Sequence, residues 1–290
     1  MNYILLLWMV FVHIVRSIFT PARVSTMMMK MKVDPTLFIH RKTFQVFHHQ
    51  QEFLPVNQTV LTISPGGIKG YYMMGTSAYI KEHYNISSMV FSGASAGAWN
   101  TLVMTFKGDT RELIKLATHP RMTAVKSILE MEKEFKNTIL TTYTRDDFDL
   151  EKIFIGMTNI VAGKPHAVIY HGFDNLEDVL NACIASSHIP LITGDLTTIY
   201  NNMYSFDGGF SKHPYLNGSI FHITPSMWKN NTGMIIKPPR RKLLGKIDEY
   251  TTLFSKDHYD LDQLFQHGYD DAYLNRDTLD AIFQKKMDAE

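Results

Sequence analysis

One cysteine, Cys183, stands among 290 residues, so no intrachain disulfide can form and a reducing compartment is compatible with the chain. Cys183 falls within 176–187, which reads as a helix, and there it reads as a small core residue rather than a reactive thiol. Excess charge is also missing. Lys and Arg number 29 against 28 Asp and Glu, a net charge of +1, with no dense basic stripe in the central region. That balance excludes a general nucleic-acid binder. The Walker order G-x-x-x-x-G-K-[ST] is absent, a dinucleotide fingerprint fails on spacing, and neither an EF-hand loop nor zinc-ligand spacing occurs. The expectation is therefore no metal and no cofactor. Nor does the apolar run Tyr3–Val15, about 13 residues, reach the about 20 that a membrane span requires.

The residues that are present fit a folded protein with a large core: 45% hydrophobic and 20% charged. Short apolar runs alternate with helical patterns. Val60–Ile63, Met89–Phe91, Val168–Tyr170 and Ile220–Thr224 read as strands, with Ile199–Tyr200 and Met203–Phe206 leading into a turn. Helices are expected over Tyr71–Lys81, Ala96–Leu116, Pro120–Thr138, Asn175–Ala185 and Leu261–Leu274. Leu150–Ile155 follows a polar turn in which Asp147 or Asp149 can cap. Such alternation predicts an α/β fold, a three-layer α/β/α sandwich with a mostly parallel central sheet.

Three small-residue turns carry the chemistry. Gly93-Ala-Ser95-Ala-Gly97 spells G-x-S-x-G between a strand and a helix, where a tight turn exposes the serine Oγ at a helix N-terminus. Upstream, Ser64-Pro-Gly-Gly-Ile-Lys-Gly70 joins a strand to another helix start, a geometry that suits an oxyanion hole. Downstream, Asp207-Gly208-Gly209 places an acid before two glycines. A carboxylate can serve as the base for a serine hydroxyl when burial raises its pKa.

This ordered set resembles the patatin-like phospholipase family, over roughly residues 58 to 225. The matching residues are Gly66-Gly67-Ile68-Lys69-Gly70, Gly93-Ala94-Ser95-Ala96-Gly97, Asp207-Gly208-Gly209 and Ala185-Ser-Ser-His-Ile-Pro190. The resemblance implies a patatin-like fold, a Ser95 nucleophile paired with Asp207 without a catalytic histidine, and an oxyanion hole from Gly66, Gly67 and the Lys69 amide. Gly70, Gly93, Gly97, Gly208 and Gly209 support the motifs. It further implies lipid acyl hydrolysis, with fatty-acyl esters of phospholipids or other glycerolipids as substrates. The chain departs at Pro65, where the family usually has a glycine and which offers no N–H, and at His188, bulkier than expected there. Two alternatives stay open. One is an α/β-hydrolase triad with Asp195 or Asp207 as acid and His213, His222 or His267 as base. The other is a lipid-binding protein with a degenerate catalytic set.

Four segments follow: an apolar N-terminus (1–24), a connector (25–57), the phospholipase-like domain (58–225) and a C-terminal extension (226–290). The apolar N-terminus is followed by Arg16, Arg23, Lys30 and Lys32 before the first acid, Asp34. Membrane anchoring or surface association is expected, with the domain kept cytosolic by this basic flank. A signal peptide and a buried helix are the alternatives, although no A-x-A site follows. Lys237-Pro-Pro-Arg-Arg-Lys242 reads as an exposed basic linker, a second lipid contact or a solvated turn.

Overall fold

The computed structural model describes residues 36–52, 54, 58–190, 192–228 and 259–286. The apolar N-terminus and the basic linker at 237–242 lie outside them. Nine strands form one sheet: β1 (Leu37–His40), β2 (Gln45–Phe47), β3 (Thr59–Ile63), β4 (Met89–Ala94), β5 (Ile153–Val161), β6 (Lys164–His171), β7 (Thr198–Tyr200), β8 (Met203–Phe206) and β9 (Ser219–Ile223). Their order is β2-β1-β6-β5-β4-β3-β9, with β8 on β5 and β7 on β8. The central run β5-β4-β3-β9 is parallel, as is β1 with β6. Two tight hairpins supply antiparallel pairs. Ala162-Gly163 joins β5 to β6 and Asn201-Asn202 joins β7 to β8, all four residues at positive φ as such two-residue turns require.

The central strands are apolar on both sides. One face presents Leu61, Phe91, Ile155 and Tyr170 to α1 (Gly70–His83), α2 (Ala96–Thr105) and α6 (Leu176–Ser186). The other buries Phe38, Val60, Val90, Phe154 and Ile169 against Leu216, Phe47 and Leu54. A 3-10 turn at Gln50–Glu52 belongs to this thinner layer, where the Gln50 side chain accepts from Asn217 N at 2.7 Å. The fold is thus α/β, with a mostly parallel central sheet covered on both faces.

Several expected elements differ. The helix read over Ala96–Leu116 is two, α2 and α3 (Thr110–Thr118), because Lys107-Gly-Asp109 intervenes and Asp109 caps Arg111 N at 2.9 Å. The helix over Pro120–Thr138 likewise divides into α4 (Pro120–Ala124) and α5 (Ile128–Thr142). Ser127 caps Glu130 N, and the Glu130 carboxylate accepts from Lys126 N. Leu150–Ile155 is not a helix: a 3-10 turn over Leu150–Lys152 runs straight into β5, whose residues are buried on both sides of the sheet. Asp147 instead closes a capping box with Thr144. The connector read over 25–57 contributes β1 and β2. In the C-terminal extension, α7 (Leu261–Leu274) is followed by α8 (Arg276–Asp280). Among the described residues no helix is long and apolar enough to cross a membrane.

Helix α7 packs along α1 at a backbone-to-backbone crossing. A Cβ on Gly268 would sit 1.8 Å from the Tyr72 carbonyl oxygen, and one on Gly75 would sit 2.0 Å from the Phe265 carbonyl oxygen. Tyr72 Oη donates to Asp271 at 2.6 Å, and Thr76 Oγ1 donates to the Gly268 carbonyl at 3.1 Å. The Gly268→Ala variant is therefore expected to push α7 off α1 and lose about 3 kcal/mol of unfolding free energy. Urea denaturation followed by circular dichroism checks this; a loss within experimental error would mean that the crossing is not held closely.

Candidate active site

Strands β3 and β4 end level, with Ile63 paired to Gly93, so the turns that follow them lie side by side. The approach is close. A Cβ on Gly97 would fall 2.1 Å from the Ile63 carbonyl oxygen, and one on Gly93 would fall 2.2 Å from the Gly97 carbonyl oxygen. Only glycine fits both positions. Between them Ser95 adopts φ 56° and ψ −127°, a strained conformation for a side-chain-bearing residue. Its amide is held by Ser186 Oγ at 2.8 Å, and Ser186 Oγ in turn donates to the Gly156 carbonyl at 2.6 Å.

Asp207 follows β8 and meets Ser95. Its carboxylate lies beside the Ser95 side chain and accepts a hydrogen bond from Gly209 N at 2.6 Å. The Asp207 amide donates to the His188 carbonyl at 2.8 Å, and Thr158 Oγ1 donates to the Asp207 carbonyl at 3.0 Å. Ser95 and Asp207 are both buried. Burial pushes the Asp207 carboxyl up to about 6, against the opposing effect of the Ser95 side chain and the Gly209 amide. An acid in that range is ionised at neutral pH yet basic enough to accept a serine proton.

Pro65 and His188, where the sequence departs from the pattern it resembles, have local consequences. Pro65 walls the acid's turn: a Cβ on Gly209 would lie 2.9 Å from the proline ring. The His188 ring is held by Nε2 donating to the Asp195 carbonyl at 2.9 Å. Gly67 sits at φ 54° and opens the 3-10 turn Gly67–Lys69 that precedes α1. The first turn of a helix leaves amides free to donate. The Lys69 amide, assigned to the oxyanion hole by resemblance, already donates to the Gly66 carbonyl at 3.1 Å. Of the other two, Gly67 lines the cavity at Ser95 and Gly66 precedes the 3-10 turn.

The triad candidates do not assemble. His222 Nδ1 bonds Thr62 Oγ1 at 2.7 Å, His213 Nε2 bonds Asn217 at 3.0 Å, and His267 lies on α7. None of them lines the cavity at Ser95. Among the described residues no cluster of three or more His, Cys, Asp or Glu side chains could hold a metal ion.

The cavity is lined by Gly67, Ser95 and a largely apolar wall that includes Ile68, Tyr71, Met74 and Phe135. Glu132 of α5 also lines it, and nothing in the sequence singled this residue out. Its Oε1 accepts from Trp99 Nε1 at 3.3 Å and lies 2.5 Å from Ser187 Oγ. Burial pushes the Glu132 carboxyl up to about 8, opposed by these bonds and aided by the Asp207 charge. Its signal in the sequence is one acid on the Met122–Ile139 apolar face, visible only once the phase of α5 is known.

No protein-family model matches the chain, and no curated protein matches it. Among solved structures it is similar to the crystal structure of VipD from Legionella pneumophila, at 14% identity and a TM-score of 0.28. That similarity covers 63% of this chain and 52% of VipD, so about half of that protein's length is spanned.

A carboxyl raised by burial makes folding favour its protonated form. Relative to pH below about 4, the stability contributed by Asp207 is lost as pH rises to its folded value of about 6. The Asp207→Asn variant lacks this loss, which is on the order of 3 kcal/mol. Urea midpoints of the two proteins compared from pH 4 to pH 8 should diverge in the variant's favour through this window. Parallel curves would show that the carboxyl is not desolvated.

Proposed function

We propose that the protein is a serine acyl hydrolase that cleaves fatty-acyl esters of phospholipids or other glycerolipids through the pair Ser95 and Asp207. The observation that carries this reading is the buried juxtaposition of a serine on a strained strand-to-helix turn with a carboxylate of raised pKa, beside an apolar cavity. Ser95 Oγ attacks the ester carbonyl as its proton passes to Asp207. The oxyanion develops against the amides of Gly66 and Gly67, at the positive end of α1. Asp207 returns the proton to the departing alkoxide, and the acyl group remains on Ser95. Asp207 then takes a proton from water, hydroxide attacks the acyl carbonyl, and the carboxylic acid leaves as Ser95 regains its proton. None of these steps requires a metal or cofactor.

The apolar cavity favours a long acyl chain. The stretch Tyr3–Val15 and its basic flank support placing the enzyme at a membrane surface, where such substrates reside, with the catalytic domain on the cytosolic side.

Fluorophosphonate should label the purified protein on Ser95, located by peptide mass spectrometry. The Ser95→Ala and Asp207→Asn variants should lose about a thousandfold or more in kcat/KM on a glycerolipid ester. His213→Gln, His222→Gln and His267→Gln should keep most of the activity, and loss in any of them would restore the triad reading. The wild-type kcat/KM should rise with pH through about 6 and then level off, as Asp207 ionises in the free enzyme. A folded sample with no adduct and no turnover would sink the mechanism.

A further inference from the structure

The cavity at Ser95 has largely apolar walls. It contains two anomalies for a site meant only for hydrocarbon. Asn100 of α2 and Glu132 of α5 both line it, with only 1% and 7% of their surfaces exposed. Each keeps one oxygen, Asn100 Oδ1 and Glu132 Oε2, with no hydrogen-bond partner among the described residues. Buried polar atoms are nearly always paired, and an unpaired one is costly. Two such atoms on residues that line one cavity point to a partner that arrives with the ligand.

Their chemistry defines that partner. The Asn100 amide cannot be turned around, because Nδ2 donates to the carbonyls of Gly70 at 3.1 Å and Ala96 at 2.9 Å. Oδ1 is left as a pure acceptor. At Glu132, Ser187 Oγ has a single proton and lies 2.8 Å from the Cys183 carbonyl, which can only accept. With Glu132 neutral, its proton can sit on either oxygen, because the Cys183 carbonyl already accepts from Ser187 N at 3.0 Å and does not need the Ser187 hydroxyl proton. With Glu132 ionised, no proton resides on the carboxylate. Oε2 is therefore an acceptor when Glu132 is ionised, and either an acceptor or an O–H donor when it is neutral. Asn100 thus lacks a donor, and Glu132 suits a group that can both donate and accept. An ammonium group would have to enter a mostly apolar pocket, at a cost that one neutral amide does not offset. A hydroxyl brings one donor, no charge and little bulk.

We propose that this cavity selects acyl groups carrying a hydroxyl, which donates to Asn100 Oδ1 or Glu132 Oε2 and accepts from Glu132 when Oε2 carries the proton. This deepens the acyl-hydrolase reading and rests on it. A saturated chain leaves both oxygens dry, whereas a hydroxylated chain satisfies at least one. Sites that present hydrogen-bonding groups to a substrate hydroxyl discriminate strongly against the analogue lacking it.

The test uses the full-length protein and p-nitrophenyl octadecanoate beside a positional series of its monohydroxy derivatives. At least one hydroxy ester should exceed the plain ester by about tenfold or more in kcat/KM. That ratio should fall toward unity in Glu132→Leu. Glu132→Gln, which keeps an acceptor and the shape, should retain most of the preference and guards against a misfolded leucine variant. A wild-type ratio at or below unity at every position, or a ratio unmoved by Glu132→Leu, overturns the proposal. Binding of free octadecanoate and its hydroxy analogues to Ser95→Ala, by calorimetry, separates the two readings. Preferential hydroxy-acid binding without any ester turnover would sink hydrolysis while upholding the pocket's selectivity. Turnover with no such preference would do the reverse.

Discussion

The level pairing of β3 with β4 is the constraint from which the site follows. Because Ile63 lies opposite Gly93, two strand-to-helix turns emerge at the same height and compete for the same space. Gly97 lies so close to the Ile63 carbonyl that a methyl group there would overlap it. The chain resolves the crowding by turning sharply at Ser95, through a positive φ that a serine tolerates only when its surroundings hold it. The same crowding brings the start of α1, the start of α2 and the side chain of Ser95 to one cavity. A helix N-terminus beside a nucleophile needs no charged residue to favour negative charge.

Holding this site costs stability that the core must supply. Ser95 stores backbone strain of about 1–3 kcal/mol. Asp207 and Glu132 are carboxyls whose burial favours their neutral forms, so folding at neutral pH works against both. The opposing contribution is large. Leu61, Ile63, Tyr72, Met73 and Phe91 on one side of the chain's first helix-strand layer, and Ile153, Ile155, Tyr170 and Phe173 further along the sheet, are almost wholly removed from water. Each such side chain contributes about 1.5–3 kcal/mol on burial. The site can be strained because the sheet beneath it is not.

Much of this was legible in the residues, and what was not has identifiable causes. Turns that need glycine, such as Gly93-Ala-Ser95-Ala-Gly97, announce themselves because no other residue fits. Strands β3 and β9 and helix α7 carry clean apolar patterns close to their observed limits. The breaks at 106–109 and 125–127 escaped because apolar periodicity continues across them, while only Asp109 and Ser127 mark the new helix starts. Strand β5 begins directly after a 3-10 turn and is joined to β6 by Ala162-Gly163, a weaker hairpin signal than Asn-Gly. Strands β1 and β2 are four and three residues long, too short for alternation to register. Glu132 was hidden for another reason. Isolated acids in helices are usually solvated, and burial of this one depends on how α5 sits against α2 and α6.

The segment Ser186-Ser187-His188 unites these parts. Ser186 Oγ anchors the Ser95 amide, Ser187 Oγ meets Glu132, and the His188 carbonyl receives the Asp207 amide. Three consecutive residues at the end of α6 thus touch the Ser95 turn, the cavity's buried Glu132 and Asp207. Each uses a different group, so their side chains need not be alike, but their backbone must end the helix at a fixed place. The Asn175 cap at the other end of α6, accepting from Asp178 N at 2.8 Å, helps set where that is. Displacing α6 along its axis by a fraction of a turn would move all three contacts together. The geometry of the Ser95–Asp207 pair is therefore governed by the register of a helix that contributes neither residue.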